Sequence, residues 1–171
     1  MKSRRAPGYS LIEMMVVIAV LAILAGLALA PHTPLFDALR AEMLRMQLHA
    51  ALNHARSTAL SQRRAVIACP SEDGHQCGQD WSRGWLLRQE HPRPGQPDST
   101  GVLAYRELGS HHSLKAFSTH GRPQVVFRQT GHSAGSNARI SICAHGELRA
   151  EVVVSNTGRV RSVRSTQPDH C

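Results

Sequence analysis

The sequence predicts an α+β fold in which a long N-terminal helix packs on an antiparallel β-sheet domain. Three patterns support this prediction: an uncharged apolar run from Met14 to Ala30, a helical repeat of apolar residues that continues to about Arg64, and short β-prone segments after Ala65. A helix followed by several short strands is the order typical of an α+β domain. The 171 residues allow one small globular domain, predicted over residues 34–171, in addition to the apolar segment.

The first eight residues form a basic leader, because Lys2, Arg4 and Arg5 precede the apolar run. A secretory signal peptide would place its small cleavage-site residue after the apolar run, whereas Gly8 lies before it. Cleavage after Gly8 would therefore retain the hydrophobic helix predicted over residues 9–33. About twenty apolar residues suffice to span a bilayer. We predict a single membrane anchor, with the leader in the cytoplasm and the globular domain on the opposite side.

Glu13 is the one carboxylate within this apolar segment, and no basic residue lies within helical reach of it. A carboxylate in such a segment is costly and normally has a partner. We expect the partner to come from another subunit, and the amine created at Tyr9 of a neighbouring copy would supply it.

The helix is predicted to continue through residues 34–64. Apolar residues recur at steps of three and four, which predicts an apolar face that covers the sheet. This face consists of Leu35, Leu39, Met43, Met46 and Ala50. Pro31 and Pro34 are predicted to kink the junction with the apolar segment, because proline removes a helix hydrogen bond.

Six β-prone runs follow, each bounded by turn-forming residues. They cover residues 65–69, 84–88, 102–105, 124–128, 139–143 and 149–155, and residues 90–101 are predicted to form a proline-rich loop. Trp81 and Trp85 are predicted to pack between helix and sheet, with base stacking by an exposed indole as the alternative.

The four cysteines are compatible with disulfides in an oxidising compartment. Cys69 and Cys77 flank a short polar stretch that is typical of a stapled loop, and Cys143 and Cys171 would then pair. Sequence order alone leaves three connectivities open. Zinc binding by Cys69, His75 and Cys77 is the competing hypothesis, although this spacing matches no common zinc site.

The string Gly8-Tyr9-Ser10-Leu11-Ile12-Glu13 after a basic leader resembles the class III signal of type IV pilins and pseudopilins, with Tyr9 in place of the usual Phe. This resemblance implies cleavage after Gly8 by prepilin peptidase, methylation of the new N-terminus at Tyr9, and assembly into a filament guided by Glu13. It also implies insertion in the bacterial inner membrane before assembly, then a place in the periplasm and in a pilus at the cell surface.

A narrower resemblance covers most of the chain. The helix end over residues 55–60, the strand that closes at Cys69-Pro70-Ser71, and Cys77 followed by Trp81-Ser82-Arg83-Gly84-Trp85 are similar to the GspH/FimT family of minor pilins and pseudopilins. The resemblance implies a type IV pilin-like fold. The sequence contains no nucleophile elbow, P-loop or zinc-hydrolase signature, so we predict neither an enzyme nor a cofactor or metal site.

Positive charge is concentrated in the last third of the chain. Residues 9–113 carry nine Arg and nine acidic residues, whereas residues 114–171 carry eight basic and three acidic residues. Such an asymmetry favours a polyanionic partner. Within this region, Gly158-Arg159-Val160-Arg161 would place two guanidinium groups on one face of an extended strand, about 7 Å apart, close to the spacing of successive phosphates on one DNA strand.

This string is similar to the C-terminal Gly-Arg-x-Arg motif of DNA-binding FimT-like pilins. The resemblance implies capture of double-stranded DNA for uptake by Arg159 and Arg161, with Lys115, Arg149 and Arg164 as candidates that widen the patch. Arg164 would lie on the opposite face of a regular strand and would need a bend near Ser162. The alternative is a structural or priming GspH-like pseudopilin of a pilus or a type II secretion system, which contacts other pilin subunits and no DNA.

Overall fold

The computed structural model describes residues 9–28, 33–90, 101–109, 111–135, 137–165 and 169–171. The leader with Gly8, the Pro31 position and the centre of the predicted proline-rich loop therefore lie outside the described residues. The chain divides into two units, Met1–Leu35 and Phe36–Cys171.

The first unit contains helix α1, Leu11–Ala28. The helix starts behind Ser10, whose carbonyl accepts hydrogen bonds from the Glu13 and Met14 amides at 3.0 and 3.2 Å. Its apolar side chains from Leu11 to Leu24 are exposed on all sides. Within the described residues, no helix is both long and apolar enough to cross a membrane.

Helix α2, Thr33–Gln62, begins with Pro34 in its first turn, where proline is tolerated. The predicted sheet-facing stripe of this helix is wrong, because Leu35, Leu39, Met43 and Met46 are 51–60% exposed and Ala50 is exposed. The buried stripe has the same helical period but is offset. It consists of Ala41, Leu44, Leu48, Leu52, Ala55 and Ala59. The three alanines of this stripe allow the helix to pack closely on the sheets, whereas the larger apolar residues Leu35, Leu39, Met43 and Met46 lie on the exposed face.

Among the described residues, eight strands form two antiparallel sheets. The prediction of a single sheet is therefore corrected, while the α+β class is confirmed. The first sheet has the order β3-β2-β1-β5 and the second has the order β4-β6-β7-β8. The strands are β1 (Val66–Pro70), β2 (Gly84–Gln89), β3 (Val102–Glu107), β4 (Leu114–Ser118), β5 (Val125–Phe127), β6 (Ala138–Ala144), β7 (Glu147–Val154) and β8 (Val160–Arg164). β4 and β8 are the two strands that are missing from the six predicted runs.

One hydrophobic core joins the buried face of α2 to both sheets. Trp81 and Trp85 belong to it, with 1% and 6% of their surface exposed, and the indole of Trp81 donates to Ser118 Oγ at 2.7 Å. The packing role predicted for the two tryptophans is confirmed, and neither ring is open to base stacking. Because the core residues lie between Ala41 and Val160, the Phe36–Cys171 unit contains a complete core of its own.

Two disulfides join Cys69 to Cys77 and Cys143 to Cys171, as expected. The sulfurs of Cys69 and Cys77 are bonded to each other, so the zinc hypothesis is wrong. The first disulfide closes a loop in which Asp73 Oδ1 accepts hydrogen bonds from the amides of His75 and Gln76.

Candidate functional site

The turn between β7 and β8 is the feature around which the predicted basic residues are arranged. The amide of Gly158 donates to Ser155 O at 2.8 Å, and the amide of Ser155 donates to Arg159 O at 3.0 Å. The amide of Arg159 in turn donates to Ser155 Oγ at 3.2 Å. These bonds close the turn tightly before β8 begins at Val160.

Gly158 is required at this turn for two reasons. Its φ of +76° lies in the left-handed region, which side chains disfavour. A Cβ atom at this position would also lie 1.8 Å from the carbonyl oxygen of Gly131, in the loop after β5. Hence Gly158, the glycine of the Gly-Arg-x-Arg string, allows the β7–β8 turn to pack directly against the loop that contains Gly131.

Arg159 and Arg161 are both exposed, whereas Val160 between them is 8% exposed and belongs to the core. This alternation matches the predicted extended geometry, in which residues two apart share a face at about 7 Å. Among the residues that the structure describes, neither guanidinium forms an ion pair. Arg161 lies on β8 and Arg159 immediately precedes it, and β8 is an edge strand of its sheet, so both cations lie at an accessible edge.

Arg164 lies on the other side of β8. Its Nη2 is 2.5 Å from Glu42 Oε1 on α2. Arg45 donates to both oxygens of the same carboxylate, at 2.6 and 2.8 Å, and also to Ser162 Oγ. The pairing of β7 with β8 is regular here, so no bend at Ser162 brings Arg164 round to Arg161.

The hydrogen bonds from Arg45, and after them those from Arg164, hold the pKa of Glu42 well below its ordinary value of 4.5, against the opposing effect of burial. Arg164 on β8 and Arg45 on α2 thus bind the same carboxylate, and this interaction links the end of β8 to α2.

Lys115 and Arg149 are also separated from the exposed pair. Lys115 lies on β4, at the opposite edge of the sheet, and its Nζ is 3.4 Å from Asp80 Oδ2. Arg149 lies at the start of β7, with Nη2 2.8 Å from Glu147 Oε2. The structure therefore brings together Arg159 and Arg161, and does not place Lys115, Arg149 or Arg164 beside them.

Sequence reasoning missed three other arginines on these elements. Arg139 on β6 is in register with Val153, which pairs with Arg161, but its Nη1 is 2.7 Å from Glu151 Oε2. Arg128 is exposed in the loop after β5 that also contains Gly131. Arg56 on α2 donates to Gly131 O at 3.1 Å and to Thr157 O at 3.4 Å. In the sequence, Arg56 belongs to the helix end over residues 55–60 that is similar to the GspH/FimT family, and nothing else there distinguishes it.

A second polar cluster surrounds Asp37, which is 5% exposed on α2. Its carboxylate accepts hydrogen bonds from His145 Nε2 at 2.7 Å, Ser113 Oγ at 2.8 Å and Arg40 Nη1 at 3.1 Å. The bond from His145 lowers the pKa of Asp37 most, followed by that from Ser113. Ser113 donates to the carboxylate and not to the imidazole, so this is not a nucleophile–base–acid triad. The cluster fastens the β6–β7 hairpin to α2.

At the N-terminus, Tyr9 is 81% exposed and Glu13 lies in the first turn of α1. Gly8, the predicted cleavage position, lies outside the described residues.

Comparison with known proteins agrees with both resemblances. The family model described as Type II transport protein GspH matches residues 45–158, and the model of the prokaryotic N-terminal methylation motif matches residues 3–29. No curated protein sequence matches the chain significantly.

Solved minor pilins and pseudopilins share the fold. The type IV minor pilin FimU of Pseudomonas aeruginosa is 23% identical, with 75% of this chain and 91% of FimU covered and a TM-score of 0.59. The minor pseudopilin EpsH from the type 2 secretion system of Vibrio cholerae is 15% identical, with 75% and 99% covered and a TM-score of 0.51. GspH of E. coli is 16% identical, with 82% and 100% covered and a TM-score of 0.50. Because the GspH model matches most of the chain and the methylation motif precedes it, this chain belongs to the GspH family of type IV minor pilins and pseudopilins.

Proposed function

We propose that this protein is a FimT-like minor type IV pilin that binds extracellular double-stranded DNA through Arg159 and Arg161, for uptake in natural transformation. The observation that carries the proposal is a pair of exposed cations, Arg161 on edge strand β8 and Arg159 immediately before it. Neither forms an ion pair among the described residues, and the turn that leads into β8 is closed by backbone hydrogen bonds. A guanidinium can hold a phosphate through two hydrogen bonds and keeps its charge at all relevant pH values.

Binding through these two residues would be independent of base sequence. Phosphate contacts position a protein on DNA without reading bases, and both tryptophans that could stack on bases are buried. Affinity should be modest and should fall with salt, with a slope of log K against log salt of about −0.9 for each phosphate contacted.

Lys115, Arg149 and Arg164 are secondary candidates in this proposal. Each already has a carboxylate partner, so contact with a phosphate would require the guanidinium or ammonium group to leave that partner. They contribute to the positive field that attracts DNA, and we expect each to matter less than Arg159 or Arg161.

The remainder of the proposed function concerns processing and assembly. The family implies association with other pilin subunits and processing at the N-terminal methylation motif, and its members are not known as enzymes. For this chain we propose cleavage after Gly8 by prepilin peptidase and methylation of Tyr9. Glu13 would pair with the N-terminus of a neighbouring subunit, which moves the protein from the inner membrane into a pilus that crosses the periplasm to the cell surface.

The test is fluorescence anisotropy of labelled duplex DNA with residues 36–171, the unit that contains a complete core. The wild-type fragment should bind at low salt and weaken as salt rises. Arg159→Ala/Arg161→Ala should lose most of the affinity and reduce the magnitude of the salt slope by about 1.8, since two phosphate contacts are removed.

A matched control removes two other exposed arginines. Arg64 follows α2 and Arg106 lies on β3, so Arg64→Ala/Arg106→Ala changes the net charge equally but away from β8. Equal losses of affinity in both double variants would show that the fragment binds DNA only through general charge attraction, which would contradict a site at Arg159 and Arg161. Absence of binding by the wild-type fragment at low salt would contradict the proposal.

The second candidate is a structural or priming GspH-like subunit that binds no DNA. The exposed apolar stripe of α2 favours it, because Leu39, Met43 and Met46 offer a surface for a neighbouring subunit rather than for DNA. A fragment that binds no DNA and still associates with another pilin of the same machine would support this candidate.

A further inference from the structure

Arg56 lies at the junction between α2, the loop after β5 and the β7–β8 turn. Its Nε donates to Gly131 O at 3.1 Å and its Nη2 donates to Thr157 O at 3.4 Å. The two carbonyls belong to segments that lie 75 and 101 residues further along the chain. One half-buried side chain therefore connects the helix to both loops.

The two loops are also joined directly. The amide of Ser133 donates to Asn156 O at 2.9 Å, and Gly158 is packed against Gly131. On the other side of the turn, the amide of Asn156 donates to Asn137 Oδ1 at 3.1 Å. The segment immediately before Arg159 is thus held by contacts from three separate parts of the fold.

The chemistry of these contacts separates Arg56 from the phosphate-binding candidates. Its guanidinium donors are directed at main-chain carbonyls, whereas those of Arg159 and Arg161 make no ion pair within the described chain. A turn that is already ordered loses little conformational entropy when DNA binds, which increases affinity without a new contact.

We propose that Arg56 is a positioning residue of the DNA site: its bonds to Gly131 and Thr157 hold the β7–β8 turn so that Arg159 and Arg161 face one DNA strand together. This inference rests on the proposed function. Lysine cannot replace Arg56 fully, because a single ammonium lacks the planar fork that reaches two carbonyls.

The experiment combines two measurements on residues 36–171 and its variants Arg56→Ala, Arg56→Lys and Arg159→Ala/Arg161→Ala, with Arg106→Ala as the control for loss of one exposed charge. The first is duplex DNA binding over a salt series. The second is ¹⁵N relaxation of the amides from Ser155 to Arg159 without DNA, with the unfolding temperature recorded for each variant.

We expect Arg56→Ala to weaken DNA binding by about tenfold, as the loss of one charged hydrogen bond would do. Its salt slope should equal that of the wild type, because no phosphate contact is lost. The order parameters of the turn should fall from about 0.85 towards 0.6. Arg56→Lys should recover only part of the affinity, and Arg106→Ala should leave the turn ordered.

Two results would overturn the inference. Unchanged affinity and an unchanged turn in Arg56→Ala would leave Arg56 without a positioning role. A salt slope reduced by about 0.9 and restored by Arg56→Lys would make Arg56 a phosphate contact itself.

The experiment distinguishes an error in the proposed function from an error in this inference. If the proposed function is wrong, the wild-type fragment does not bind DNA, or its binding does not depend on Arg159 and Arg161. In that case the relaxation data decide alone: a mobile turn in Arg56→Ala supports the holding role, and an ordered one contradicts it.

Discussion

Arg159 and Arg161 differ from Arg139, Arg149 and Arg164 in what their guanidinium groups contact. The latter three lie 2.5 to 2.8 Å from carboxylate oxygens. A surface ion pair contributes little to stability, but it offsets the charge that a polyanion would meet. The count of eight basic residues in the last third of the chain is therefore larger than the number of positive charges that are free to bind a polyanion.

Gly158 provides a test of the turn at the level of one residue. Gly158→Ala and Gly121→Ala both place a side chain at a positive φ, 76° and 77°, but only at Gly158 would the new Cβ meet another backbone. Gly121→Ala should lower the free energy of unfolding by about 1 kcal/mol from the left-handed backbone alone. Gly158→Ala should cost clearly more, because the Gly131 loop must move. Urea unfolding of residues 36–171 measures both, and equal losses would show that the contact with Gly131 is easily relieved.

At the level of elements, α2 carries two apolar stripes with the same period. One is buried beneath both sheets, and the other is exposed. An exposed apolar face on α2, together with the exposed apolar side chains of α1 from Leu11 to Leu24, is typical of a protein whose remaining contacts come from partners.

The two stripes predict opposite effects of truncation. Leu48→Ala removes a side chain with no exposed surface and should lower the free energy of unfolding by about 2–5 kcal/mol. Met46→Ala removes one that is 54% exposed and should change it by less than about 1 kcal/mol. Chemical unfolding of residues 36–171 compares the two, and a large loss in Met46→Ala would contradict the assignment of faces.

Most strands could be predicted from the sequence, but two strands and the arrangement of the sheets could not. The six predicted runs are strands because β-branched and apolar residues dominate them. β4 was missed because its only large apolar residues are Leu114 and Phe117, and β8 because two of its five residues are arginines. The division into two sheets depends on long-range pairing, such as β1 with β5, which local patterns do not contain.

The candidate site was predictable to a similar degree. Alternation along a strand placed Arg159 and Arg161 on one face and Arg164 on the other. The partners of Lys115 and Arg164 were not predictable, because Asp80 and Glu42 lie 35 and 122 residues away from them in the chain. The partner of Arg149 is local, since Glu147 lies two residues away on the same strand. Arg56 was missed because its contacts join α2 to loops that are distant in sequence.

For the whole molecule, Asp37 and Glu42 join α2 to the second sheet, and both have a lowered pKa in the folded state. A carboxyl group with a lowered folded-state pKa stabilises the fold above its unfolded-state pKa, and this contribution is lost as pH falls towards the folded value. The domain should therefore lose stability as pH falls below about 4.5, the ordinary pKa of Glu42.

Glu42→Gln should be less stable than the wild type at pH 7 and should lose less stability on acidification, so that the two proteins converge at low pH. Glu107→Gln, at an exposed position on β3, is the control and should parallel the wild type. Unfolding midpoints in urea between pH 7 and pH 3 provide the comparison. Parallel curves for Glu42→Gln and the wild type would contradict the contribution assigned to the Glu42 carboxylate.

The disulfide between Cys143 and Cys171 fixes the position of Cys171 in the fold. The amide of Cys171 donates to Gly146 O, and His170 bridges to Glu147, so Cys171 lies at the β6–β7 hairpin end of the second sheet. The β7–β8 turn lies at the other end of β7, an eight-residue strand, roughly 25 Å away. A fluorophore or surface-coupling group attached after Cys171 would thus leave Arg159 and Arg161 accessible, and a protein immobilised in this way would present its β7–β8 end to solution.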